Sequence, residues 1–151
     1  MSGTDLLELS VERIIKAAPE KVYQTWLDRF EDWWAPKPWT TKILARDLRP
    51  GGASKLRMQG PDGQASEMEG VFLEVIPNRK IVLTNAFAAD WIPQAPFMVA
   101  LFTFEPHAEG TLYRGASRHW TEETHKQHQA MGFEAGWALV AGQLAALAEQ
   151  D

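Results

Sequence analysis

Cysteine is absent from the 151 residues, which removes disulfides, thiolate nucleophiles and Cys-ligated zinc or iron–sulfur sites together. No apolar run approaches the roughly 20 residues needed to cross a bilayer. The first residues, Met1-Ser2-Gly3-Thr4-Asp5, have neither the basic start nor the apolar stretch of a secretory signal. A cytoplasmic protein without membrane association is the expectation. Basic residues are in deficit, 15 against 20 acidic for a formal net charge of −5. With no dense Lys/Arg block to meet a phosphate backbone, nucleic acid is not an expected partner. Repeats, low-complexity segments and linkers are also missing, so residues 1–151 read as one domain that buries roughly 70% of its unfolded surface.

What is present is aromatic. There are 7 tryptophans, large flat rings best used where apolar area is wanted, and Trp33, Trp34 and Trp39 stand close together. Leu7 to Ile15 alternates and is rich in branched residues, which predicts an edge or near-edge strand. Pro19 and Glu20 start a short helix, since Pro at the first position gives up only an N–H that would be unpaired and Glu suits the positive helix end. Val22, Tyr23, Trp26, Leu27 and Phe30 form its apolar face. Pro36 and Pro38 make Glu31 to Thr40 a loop or broken helix.

Strands are then predicted at Thr41–Leu48, Ala53–Gln59, Ala65–Ile76, Ile81–Ala88, Phe97–Glu105 and Thr111–Trp120, with the turn Gly60-Pro61-Asp62-Gly63 and the loop Ala89 to Pro96 between them. Short consecutive strands favour an antiparallel meander. Thr121 to Asp151 reads as one long helix, with Phe133, Trp137, Val140, Leu144 and Leu147 on one stripe and Gly132 and Gly136 on its flank. The fold class is α+β, a sheet burying one face against the final helix. The two glycines mark either the edge of a cavity or a close backbone approach.

The opening strand with Ala18-Pro19-Glu20-Lys21-Val22-Tyr23, then Asp47-Leu48-Arg49-Pro50-Gly51-Gly52, Gly70-Val71-Phe72-Leu73-Glu74-Val75-Ile76-Pro77 and Gly136-Trp137 carry a resemblance over nearly the whole chain. In order and spacing they resemble the activator of Hsp90 ATPase homologue 1-like family of the START-like, or SRPBCC, superfamily. The resemblance implies a helix-grip, Bet v 1-like fold: a curved antiparallel sheet of about six or seven strands around a long C-terminal helix, with one or two short helices after the first strand and a cavity between sheet and helix. It transfers no universal catalytic residue. It also brings in an Hsp90-type chaperone as a partner, the less expected one because the chain lacks an added N-terminal domain.

Cavity candidates are Trp33, Trp34, Trp39, Phe87 and Trp91 from the aromatic segments, and Met68, Phe72, Phe102, Tyr113 and Ser117 from strand faces read by alternation. His119, Gly132, Phe133, Gly136 and Val140 complete them. Each also has an ordinary core reading, and a one-residue register slip inverts every strand assignment. His125 and His128 are one helical turn apart, but no third ligand sits at a fixed helical offset and His128 projects towards solvent on a continuous helix, so no metal is expected. No cofactor is expected either. Glu74 shares the alternation of Gly70 and Phe72, which puts it in the pocket or just beyond the packed region near Pro77. No nucleophile–base order or paired acid/base spacing emerges, so the catalytic residues are unknown. The expected function is binding of a small, largely apolar ligand, aromatic or lipid-like. An enzyme of cyclase or hydrolase type using His119, Tyr113 or Glu74 is the second reading. A homodimer, through an edge strand or the Trp-rich loop, stays open.

Overall fold

Strand β1 (Glu8–Ile15) leads into helix α1 (Pro19–Asp28) and a single turn of helix, α2 (Phe30–Trp33). The structure is a computed structural model and describes residues 6–150. Pro19 and Glu20 occupy the first turn of α1, whose Val22, Tyr23 and Trp26 are buried. Next come β2 (Thr40–Arg46), β3 (Ala53–Gln59), β4 (Ala65–Ile76) and β5 (Lys80–Thr84), followed by a two-residue ribbon, β6 (Phe87–Ala88) and β7 (Ile92–Pro93). β8 (Val99–His107) and β9 (Gly110–Arg118) complete the strands, and α3 (Glu122–Ala130) and α4 (Phe133–Ala148) close the chain.

The main sheet has 7 strands in the order β1-β9-β8-β5-β4-β3-β2, and every neighbouring pair is antiparallel. Together with α4 laid along one face this is the α+β helix-grip architecture. Ile15, Val22, Trp33, Phe72, Ile81, Phe104 and Leu144 meet in a single core cluster. No single helix among the described residues is long and apolar enough to cross a membrane.

Two elements differ from the sequence reading. The strand expected over Ile81 to Ala88 stops at Thr84. There the Asn85 side chain replaces the ladder, its Oδ1 accepting the N–H groups of Phe97 at 2.8 Å and Met98 at 3.1 Å. The single terminal helix is two helices bent by 60°, and its expected last residue, Asp151, lies outside the described residues. Gly132 makes the corner at φ 90°, a left-handed conformation that costs other residues roughly 1–2 kcal/mol. Thr121 caps α3, its Oγ1 accepting from Thr124 N at 3.1 Å.

The flank glycines therefore have separate roles. Gly132 is needed for its backbone angle. Gly136 is helical, and a Cβ built there meets nothing within 4 Å. Gly136→Ala is expected to stabilise the protein by about 1 kcal/mol, and Gly132→Ala to destabilise it by about the same amount. Urea-denaturation midpoints of the two variants check this; equal shifts would remove the distinction.

Candidate ligand pocket

α1, α2 and the residue that caps α2 carry four aromatic rings at helical spacing, Trp26, Phe30, Trp33 and Trp34, and lay them on the inner face of the sheet. Trp33 is fully buried beneath the others, and its Nε1–H donates to Trp26 O at 3.2 Å. Trp34 stacks on Phe30, with ring centroids 5.4 Å apart and planes 18° apart. Its edge meets Phe102 at 5.8 Å. The segment is clamped from α4 by Gln143, whose Nε2 donates to Trp33 O at 2.9 Å and Ala35 O at 3.0 Å.

Between these rings and strands β2 to β5 and β8 a pocket of about 70 Å³ remains. Trp26, Phe30 and Trp34 form the helix side, and Leu56, Met68, Gly70, Phe72, Leu83, Met98, Ala100 and Phe102 the sheet side. Arg46, Ser54, Glu69, Thr84 and Asn85 are its polar-residue lining. No residue of α4 takes part. Trp137 occupies the gap between α4 and the sheet, stacked on Phe102 at 5.6 Å with planes 7° apart and edge-on to Trp34 at 5.3 Å. The cavity expected beneath the terminal helix is therefore displaced to lie beneath α1 and α2.

Of the candidate residues, Trp34, Met68, Phe72 and Phe102 line this pocket. Trp33 stands behind it. Trp39 is half-buried over the turn at Gly60. Phe87 and Trp91 pack edge to face at 5.8 Å on the β6–β7 ribbon, with Trp91 exposed. Tyr113 is buried against Phe104, and burial pushes its hydroxyl pKa up. Phe133 and Val140 are core residues of α4, and Gly132 and Gly136 face open space. Trp26 and Phe30 were legible only as a helix face, although the same spacing runs on into Trp33 and Trp34.

Ser117, His119 and His128 form a separate buried cluster on the far side of Met98. Ser117 Oγ lies 3.0 Å from His119 Nε2, 3.2 Å from His128 Nδ1 and 3.2 Å from Met98 Sδ. His119 Nδ1 meets Phe97 O at 2.8 Å, which assigns its proton there and leaves Nε2 as an acceptor. The 60° bend between α3 and α4 turns His128 inward, correcting the solvent-facing position expected on a continuous helix. Burial, with smaller contributions from His119 and His125, pushes the His128 pKa down to about 4. Burial also lowers that of His119, against the hydrogen bond to Phe97 O. Among the described residues no group of three or more His, Cys, Asp or Glu side chains could hold a metal ion.

Two β-bulges decide which charges face the pocket. In β4 the register shifts between Phe72 and Glu74, with Leu73 as the extra residue. Glu74 is thereby turned outward, where it pairs with Lys80 at 2.8 Å, and Val75 takes the inward position. In β2 the shift falls between Ile43 and Ala45. Arg46, outward by simple alternation from Ile43, is instead opposite Ser54 on the inner face. Its Nη1 donates to Leu27 O at 2.8 Å.

The family model described as activator of Hsp90 ATPase homolog 1-like protein matches residues 16–149. Among solved structures, a crystal structure of a Nitrosomonas europaea protein is 31% identical with a TM-score of 0.85, covering 93% of this chain and 92% of that one. An Arthrobacter aurescens protein solved by NMR is 24% identical with a TM-score of 0.81, covering 96% and 87%. A Silicibacter pomeroyi protein named for the same family is 22% identical with a TM-score of 0.70, covering 93% and 96%. The last two show likeness of fold. No curated protein shows a significant match to the sequence.

Proposed function

The chain belongs to the activator of Hsp90 ATPase homolog 1-like family, and from that premise we propose that it binds a small, largely apolar molecule in the pocket beneath α1 and α2. The observation that carries this reading is the pocket itself: a space left among Trp26, Phe30, Trp34, Phe72 and Phe102, side chains of the hydrophobic core. Proteins normally pack interiors to crystal-like density, and apolar recesses with a few polar groups are the usual form of a ligand site.

Size narrows the ligand. The interior space of about 70 Å³ is under half of the roughly 150 Å³ that accommodates benzene in a dry cavity. A short branched chain fits, and a single ring fits when Met68 and Met98 shift, which unbranched thioether side chains do readily. A long acyl chain does not. The acid–base reading is less well supported, because Tyr113, His119 and Glu74 stand in three separate places and none lines the pocket.

Toluene is the direct probe. In ¹H–¹⁵N NMR titrations it is expected to shift the Trp26 and Trp34 indole N–H signals at low-millimolar concentration or below, about −4 kcal/mol of binding. Ala100→Phe, which fills the recess from β8, is expected to abolish those shifts while the rest of the spectrum stays folded. Unchanged indole signals in the wild type up to toluene saturation would overturn the proposal.

A further inference from the structure

The hydrogen-bonding groups around the pocket divide sharply into spent acceptors and unspent donors. Thr84 Oγ1 donates to Met98 O at 2.8 Å and accepts from Ala86 N at 3.2 Å. Asn85 Oδ1 accepts two backbone N–H groups. Glu31, on the adjoining α2, accepts from Ile43 N at 2.7 Å. Glu69 is exposed, and strand alternation sends its carboxylate to the face opposite Met68 and Gly70, so it gives the wall its backbone.

The donors are different. The Trp34 indole N–H is buried without a partner. The Trp26 N–H faces the Tyr113 oxygen without reaching hydrogen-bond geometry. Ser54 is buried and its hydroxyl bonds to no described residue. Arg46 is exposed and makes one bond, to the Leu27 carbonyl. Like Arg13 and Arg79 it has no carboxylate partner among the described residues, whereas Arg29, Arg49, Arg57, Arg114 and Arg118 do. Of the unpaired three, Arg46 alone lines the pocket. Buried polar groups are normally satisfied, and each of the two buried indole donors left without a partner costs roughly 1–3 kcal/mol. The remaining N–H groups of the exposed Arg46 face solvent until a ligand takes them.

The β2 bulge makes this arrangement specific. Removing the extra residue would return Arg46 to the outer face, and bulges next to sites are a recurrent means of re-aiming one side chain. Ser54 is its cross-strand partner, so a hydroxyl and a guanidinium stand side by side at one end of an aromatic recess.

We infer that the ligand is a small carboxylic acid in its ionised form, its apolar body among Trp26, Phe30 and Trp34 and its carboxylate on Arg46 and Ser54. The inference rests on the pocket being the binding site. It adds the sign of the ligand's charge and the residues that read it. Guanidinium and carboxylate are matched in shape and charge, and fixing the Arg46 stem through Leu27 O reduces the rotamer entropy lost on binding.

Benzoate, toluene and benzylamine share one ring and differ only in a carboxylate, a methyl or an aminomethyl group. Isothermal titration or NMR is expected to rank benzoate about tenfold above toluene, with benzylamine below both. Arg46→Met is expected to weaken benzoate roughly tenfold, which removes the preference, and to leave toluene unchanged, while Arg46→Lys keeps part of the preference. Ser54→Ala lowers the benzoate-to-toluene ratio without touching the Leu27 contact, and decides the matter if Arg46→Met does not fold. Equal binding of benzoate and toluene, preference for benzylamine, or a ratio unmoved in both variants would overturn the acid while leaving the pocket standing. Binding of none of the three would overturn the pocket reading itself.

Discussion

Gly70→Ala is expected to cost about 3 kcal/mol of folding stability and to abolish ligand binding with it. Gly70 lies on the inward face of β4, and a Cβ there would stand 2.2 Å from Thr84 O and 3.0 Å from Thr84 C. Both are backbone atoms, so no rotamer change relieves the overlap, and the chain leaving β5 must move away. That chain also holds the pocket wall. The Thr84 hydroxyl and the Asn85 carboxamide bind the backbone of Phe97 and Met98, and Met98 lines the recess. One methyl group thus reaches the ligand through three residues. Urea denaturation measures the first effect and toluene titration under folding conditions the second. A variant as stable as the wild type that still binds toluene would show that the strand yields freely at this point.

The residues that govern this region were unevenly legible in the sequence. Periodicity located β1, α1 and most strands, because apolar alternation and helical spacing are local properties that tertiary contacts reinforced. Family motifs such as Arg49-Pro50-Gly51-Gly52 added the helix-grip architecture, and the strand order came only with the structure. The stripe from Phe133 to Leu147 reads as core-forming: Phe133, Val140 and Leu144 are buried, and Trp137 and Leu147 are partly buried against the core. What failed to show was every feature created by a single inserted or bent residue. A bulge leaves no periodic trace, so alternation alone leaves Glu74 either in the pocket or just beyond it and gives no sign that Arg46 lies on the inner face. Gly132 reads in the sequence as a cavity edge or a close backbone approach, whereas its role is a backbone angle, and the bend it makes brings His128 to the interior. The cavity moved for a related reason: Trp137, placed on the core stripe, is large enough to fill the space that the stripe was expected to roof.

That relocated histidine is expected to make stability fall in mild acid. His128 stands among the rings of Phe97, Phe133 and Trp137, at centroid distances of 5.1, 5.0 and 6.0 Å, with His119 Nε2 3.1 Å from its Nδ1 and His125 as the nearby contributor from α3. The folded state holds it neutral, with a pKa pushed from 6.5 down to about 4. The unfolded chain therefore binds more protons between those values, and stability rises with pH across that window. The stabilisation is complete above pH 6.5, declines as the pH falls towards 4 and is gone below it, a loss of about 3 kcal/mol in full. His119 shifts in the same direction. Glu8 contributes later: burial raises its carboxyl pKa, but the hydrogen bonds from Arg118 and Arg114 outweigh this and hold it below the usual carboxylate range. His128→Phe separates the two, since an aromatic ring in that site keeps the packing and has nothing to titrate. Wild type is expected to lose most of the 3 kcal/mol between pH 7.5 and 4.5 in urea denaturation, and the variant to lose much less. Toluene, which carries no titrating group, is expected to bind more weakly in the same window, because Ser117 and His119 abut Met98 and Phe97 at the edge of the pocket wall. Parallel decline of the two proteins would place the acid sensitivity on His119 and the carboxylates instead, and remove His128 from the account.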